Sequence, residues 1–291
     1  MKQLSIIGLL LAIFAGGAYA HETMFGLTPR TIWTNGFEVE VEQMFEYSYR
    51  FFSGDNPDEN PRDLRRFEHM VMPGFTWGIS RDWSLKAEFP VTYVSEWSKD
   101  DRESYYGPGN AEISAKYRFL YHPYPGGSSQ AGWFVRAELP TAKKRVDGPS
   151  LGDETFTFMG GLTAQTSTTR HYFWIDLAGY GSTRRSDSGE GPGFKTHMAY
   201  GHRLWEIKNY RDFDMILLVE MDFEARAQGE MDGDRDENSG FYEVEAAIGF
   251  QMNINNDFEV KFGVMLPLYH YHFGKQFVHE GEAMLMFSYV F

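Results

Sequence analysis

The chain has 291 residues, no cysteine, 17% aromatic residues and a formal net charge of -14. The charge argues against a nucleic-acid partner, since those proteins are basic, and the missing thiols exclude a disulfide framework and a thiolate metal site or nucleophile. High aromatic content beside a mean hydropathy of only -0.44 is reconciled by a barrel that shows apolar side chains to lipid and keeps polar ones in its lumen.

The first twenty residues carry Lys2, an apolar stretch from Leu4 to Ala15, and Ala18 and Ala20 flanking Tyr19. That is the layout of a cleaved secretory signal peptide over residues 1–20, so the exported chain is expected to begin at His21. Beyond Ala20 no run reaches the roughly eighteen apolar residues that a membrane helix needs. A helical membrane protein is excluded.

Residues 21–36 precede the first strand and form a periplasmic N-terminal segment, which could thread into the lumen as a plug. From Phe37 onward the pattern has period two, the signature of a strand with two unlike faces. Phe37, Val39, Val41, Phe45, Tyr47 and Phe51 share one parity, and Glu38, Glu40, Glu42, Glu46 and Arg50 the other. Further segments repeat this over 67–79, 83–97, 111–121, 133–139, 156–164, 173–177, 198–204, 213–223, 242–250, 258–268 and 277–291.

Links between segments alternate in length. Long polar ones such as Gly54 to Leu64, Ser98 to Pro108, Thr141 to Asp153, Ser182 to Gly193 and Gln228 to Gly240 are interleaved with short ones such as Ser80 to Asp82, Thr166 to Arg170, Glu206 to Asp212 and Asn253 to Asn256; His122 to Gln130 is a Pro/Gly/Ser turn. The expectation is an all-β, transmembrane, antiparallel up-and-down β-barrel of about twelve strands over 37–291, set in a bacterial outer membrane. Pro73, Pro90 and Pro267 fall inside strand-like runs, where a missing amide predicts bulges or early strand ends.

Three short stretches carry a resemblance. Gly107-Pro-Gly-Asn-Ala-Glu-Ile-Ser-Ala-Lys-Tyr-Arg-Phe119, Glu138-Leu-Pro-Thr-Ala-Lys-Lys144 and Leu151-Gly-Asp153 resemble motifs of the outer-membrane barrel family named for the MetA pathway of phenol degradation. Asn110 stands where that family usually has Asp, and Ala142 where it has Gly. The resemblance implies passage of small organic molecules. The terminal Phe291, with Tyr289, Phe287 and Leu285 at its parity, resembles the signal by which outer-membrane proteins are handed to the barrel-assembly machinery.

With the polar parity inward, the pore-lining candidates are Glu38, Glu40, Glu42, Glu46, Lys116, Arg118, Arg136, Arg203, Glu220, Asp222, Glu224, Glu243, Glu245, Glu280 and Glu282. They divide into an acidic arc and a basic arc, which would set a field across a pore. The competing reading is that these charges pair and fill the lumen. The expected function is passive passage of small organic solutes, aromatic ones included; the alternatives are a structural envelope barrel or an outer-membrane lipid-modifying enzyme using His69 and Ser95. No catalytic residue, cofactor or metal site is assigned. Three features come nearest to a metal site: the amine and imidazole of His21, the pair His270 and His272, and the acidic run Asp232 to Asn238, which lacks the last glutamate of a Ca²⁺ loop. The expected partners are outer-membrane lipids, the assembly machinery and a small organic solute.

Overall fold

Alternation makes the strands and closure makes the barrel. The computed structural model describes residues 21–142, 151–152, 155–184, 188–207 and 212–291. The leader, residues 1–20, lies outside the described residues, as do Lys143, Lys144 and Asp153 of the family-like motifs and parts of the links 141–153, 182–193 and 206–212. The strands are β1 (Phe37–Gly54), β2 (Asn56–Asp58), β3 (Arg65–Ser80), β4 (Trp83–Glu88), β5 (Val91–Trp97), β6 (Arg102–Pro108), β7 (Ala111–Tyr124) and β8 (Gly127–Leu139). They continue with β9 (Thr157–Thr168), β10 (His171–Ser182), β11 (Gly193–Arg203), β12 (Asp214–Arg226), β13 (Glu230–Met231), β14 (Asp234–Arg235), β15 (Phe241–Asn253) and β16 (Phe258–Val290).

Neighbouring wall strands are antiparallel and follow chain order, and the ring closes where β1 pairs with both β3 and β16. Strand β16 is one continuous ladder folded at Gly274, whose φ of 66° suits a residue without Cβ. Its ascending arm pairs with β15 and its returning arm with β1. A Cβ on Gly281 would meet Leu266 Cδ2 at 2.8 Å, so the two arms lie side by side. Eleven named strands thus close the ring, and with β16 supplying two arms the wall has the expected twelve segments. At the seam the backbone of Phe291 exchanges two hydrogen bonds with Phe37, 2.8 and 2.9 Å long.

The sequence expectation differs from the structure in several elements. Arg102–Pro108, expected as loop, is strand β6, which pairs with β5 and extends the wall at the long-loop end. Strands β7 and β8 run on to Tyr124 and from Gly127, so the turn is confined to Pro125 and Gly126. The acidic run at 232, within a link expected as loop, forms a small hairpin: Asp232 and Gly233, at φ 54° and 85°, turn β13 into β14.

The prolines behave as their missing amides require. Pro90 separates β4 from β5, and Pro267 sits at the register shift between β15 and β16. Pro73 lies where the partner of β3 changes from β5 to β4, so its nitrogen faces a gap in the ladder and its carbonyl accepts from Phe89 at 3.0 Å.

Outward positions are apolar. Phe75, Ile113, Leu162, Phe173, Val219, Ile248 and Leu266 are exposed around the ring, an arrangement that water would penalise and lipid tails satisfy. Aromatic clusters mark both rims of this belt, as in outer-membrane barrels. Trp83, Tyr117 and Trp133 meet toward the short-turn end, with Trp83 4.7 Å from Tyr117 and 5.2 Å from Trp133. Tyr242 and Tyr271, 6.3 Å apart, sit toward the other end.

Candidate functional site

The opposite parity faces a lumen, and the segment before β1 runs through it. The His21 ring lies among Arg203, Gln251 and Asn253, at 3.0 to 3.2 Å, and its carbonyl accepts from the Trp174 indole. The Thr23 carbonyl accepts from Lys261 Nζ at 3.2 Å. The amides of Met24 and Phe25 donate to the two oxygens of Glu220 at 2.7 and 3.0 Å, and that of Leu27 donates to Asp176 at 2.8 Å. Between those carboxylates stands His197, 3.0 Å from Glu220 and 3.5 Å from Asp176, with Gly26 on its ring. Extended backbone has donors at every residue, and the wall supplies carboxylates to meet them.

The segment's own charges are tuned by this setting. Burial, reinforced by Arg203, holds the His21 imidazole well below its ordinary pKa. Burial alone would raise the Glu22 carboxyl, but Arg30 and then Lys261, Lys116 and Lys86 overrule it and hold the group below the usual carboxylate range. Arg30 reaches Glu22 at 3.7 Å and Glu38 at 4.0 Å, tying the segment to β1.

Each pore-lining candidate has a definite place. Glu38, Glu40, Glu42, Lys116, Arg136 and Glu282 border a cavity of about 370 Å³ beside the segment. Glu40 and Glu88 clasp Lys86, the latter at 2.9 Å, and Arg136 meets Glu112 at 3.1 Å. Glu46 lies across the ladders from Glu282 and Glu68. Lys195 joins Asp222 at 3.3 Å and Glu224 at 3.8 Å. Glu243 faces His272, Glu245 faces His279 at 2.7 Å, and Glu280 pairs with Arg50.

Arg203 and Arg118 sit apart from that cavity. Arg203 grips Asp214 and the His21 ring, and Arg118 binds Asp82 and the Arg81 carbonyl at the β3–β4 turn. The two arcs expected from parity interlock: Lys86 and Arg136 are each matched by a carboxylate of their own strand or the adjacent one, and Lys195 stands within the acidic side. The reason is the cost of an unpaired buried charge.

Some residues of the lumen escaped the sequence reading. Asp176 and His197 share the inward parity of Trp174 and Ala199; Asp176 stands as a single polar residue among apolar same-parity neighbours, His197 has Lys195 on one side only, and neither belongs to a run of charges. A thioether row did not stand out because its members come from three strands: Met70, Met44 and Met284 lie directly opposite one another across β3, β1 and β16. The next inward row is Met72, Glu42 and Met286. Methionine is pliable and polarizable, so this side of the cavity can reshape around an apolar body while the other side offers charges.

The family-like stretches converge at the long-loop end. Asn110 donates to Glu138 at 2.8 Å and accepts from the Ala142 amide at 3.0 Å, while Gly107 packs on Leu151. An amide can do both, whereas an aspartate would face Glu138 with like charge. The Ser95 hydroxyl engages Ser104 at 3.0 Å and His69 stacks on Phe45 at 4.4 Å, so no hydrogen bond joins the pair considered for lipolysis.

The closed antiparallel ring, apolar belt and polar lumen define an outer-membrane type β-barrel. An outer membrane channel from Pseudomonas putida F1 has this fold at a TM-score of 0.74 and 9% identity, over 90% of this chain and 98% of that one. The β domain of the Bordetella autotransporter BrkA is more distant, at a TM-score of 0.47 and 9% identity over 87% of this chain and 99% of that one. No family model matches the sequence, and no curated protein does.

Proposed function

We propose that this protein is an outer-membrane channel through which small organic solutes, aromatic ones included, move down their gradients. The observation that carries this reading is the cavity of about 370 Å³, bounded by paired charges on one side and by Met44, Met70, Met72 and Met286 on another. Its volume falls in the range of about 300 to 1,000 Å³ usual for small-molecule sites. Residues 21–36 act as a plug, exposed after cleavage of the leader at residue 20, and the outward belt and Phe291 address the chain to the membrane and its assembly machinery. The pore-lining set is the fifteen inward charges named above, with Asp176, His197 and the methionines added.

The second reading, a structural barrel that transports nothing, draws support from the buried hydrogen bonds by which the segment occupies the lumen. Swelling of liposomes carrying the purified chain separates the two. Uptake of benzoate-like acids above that of empty liposomes is expected. Swelling equal to empty liposomes for sugars, amino acids and aromatic acids alike would leave the structural reading.

A further inference from the structure

We propose that Glu243, His270 and His272 form a binding site for a borderline divalent transition-metal cation, Zn²⁺ or its close relatives, inside the outer mouth of the barrel. Glu243 and His270 lie directly opposite each other in the β15–β16 ladder, and His272 follows two residues later on the same face. One ligand atom from each lies within 4.8 Å of the others. His272 Nε2 and Glu243 Oε1 are 3.4 Å apart, about the edge of a tetrahedron drawn around zinc with bonds of roughly 2.0 to 2.2 Å.

A second observation points to a missing ligand. His272 is only 3% exposed, yet among the described residues neither of its ring nitrogens, nor His270 Nδ1, has a partner at full hydrogen-bonding geometry; Glu243 and Gln276 are the polar neighbours of His272. Buried polar atoms are ordinarily paired, and a cation taking one lone pair from each imidazole would give each ring a partner at one nitrogen. The rings are also held in place. Phe52 packs edge-on against His270 at 3.9 Å, and Phe241 lies 5.9 Å from His272. Such an apolar surround limits rotation and strengthens binding.

The donor set selects the ion class. Two imidazoles and a carboxylate suit zinc, copper(II) or nickel, whereas calcium and magnesium favour oxygen ligands. Three protein ligands leave the fourth position of a tetrahedral ion to water or another small ligand. The site sits beside Gly274, where the last hairpin folds, and Gly54 of β1 lies across the ladder from His272. A bound ion would therefore cross-link β15 to the ascending arm of β16 at the outer end of the barrel.

The test uses the full folded chain in detergent, stripped with chelator and titrated calorimetrically with Zn²⁺. One saturable site per chain is expected, weakened at least about 10-fold in His270→Ala, His272→Ala and Glu243→Gln, and unchanged in His21→Ala, which separates it from chelation at the N-terminus. Heat-modifiable mobility on gels verifies that each variant is folded. Visible absorption of the unaltered chain with Co²⁺ gives a readout that needs no variant, since ligation by two histidines and a carboxylate produces ligand-field bands. Absence of saturable binding, or of those bands, would overturn the proposal and leave an ion pair of His272 with Glu243. Equal binding in the double histidine variant would overturn it too, by placing the ion elsewhere.

Discussion

Gly26 rests on the imidazole of His197 so closely that a Cβ at residue 26 would lie 1.9 Å from Nδ1. His197 cannot retreat, because it is buried between Glu220 and Asp176, whose carboxylates also hold the amides of Met24, Phe25 and Leu27. The segment and the wall therefore share one small polar cluster.

Gly26→Ala tests that contact. Overpacking of this kind costs about 1–3 kcal/mol, and the wall is the stiffer partner, so the segment should give way. Planar-bilayer recordings are expected to show a larger or more frequently open conductance than the unaltered chain. An identical trace would mean that the segment does not limit the bore.

Glu220→Gln removes a charged acceptor shared by two backbone donors and His197. Hydrogen bonds to charged groups contribute about 1.5–3 kcal/mol each, so docking should weaken by about 2–4 kcal/mol while the barrel stays closed. Trypsin cleavage after Arg30, followed in the folded barrel, should accelerate. Protection equal to that of the unaltered chain would refute this role.

Acid should loosen the segment. The His21 imidazole has its pKa lowered by docking, first by burial and then by Arg203, so the docked state binds fewer protons than the free one. Its contribution is complete above the free value of 6.5 and declines as pH falls below it. Glu22, also lowered when docked, adds a second decline below its free value of 4.5. Conductance is expected to rise between pH 7.5 and 5, and His21→Asn should flatten that step. A step of the same size in His21→Asn would assign it to another group.

Lys86→Met leaves Glu40 and Glu88 buried without their cation. Breaking a buried pair from one side costs about 3–5 kcal/mol. The urea midpoint, read from heat-modifiable mobility, should fall, and adding Glu40→Gln with Glu88→Gln should recover most of it. Failure of the triple variant to recover would show that Lys86 acts through packing.

Removal of Phe291 deletes both hydrogen bonds at the seam and the ring beside Phe37, 5.9 Å away. Less folded barrel should accumulate in cells, seen as loss of the heat-modifiable band in membrane fractions. An undiminished band would remove the C-terminal residue from assembly.

Parity along the chain determined much of this protein. Because successive strand residues point to opposite faces, Val39 and Glu40, or Leu217 and Leu218, are assigned to unlike surroundings before any fold is drawn. The apolar run from Met215 to Val219 nonetheless hides its inward members: Ile216 and Leu218 are fully buried against the lumen cluster that contains Met24. Alternation alone could not place residues 21–36 either, since they have no strand period and their partners Glu220, Asp176 and Lys261 lie far along the chain. Nor could it join Met44 to Met70 and Met284, or Glu243 to His270. Such neighbours are set by register across separate strands, and register is fixed only when the ring closes and every ladder hydrogen bond must be made at once.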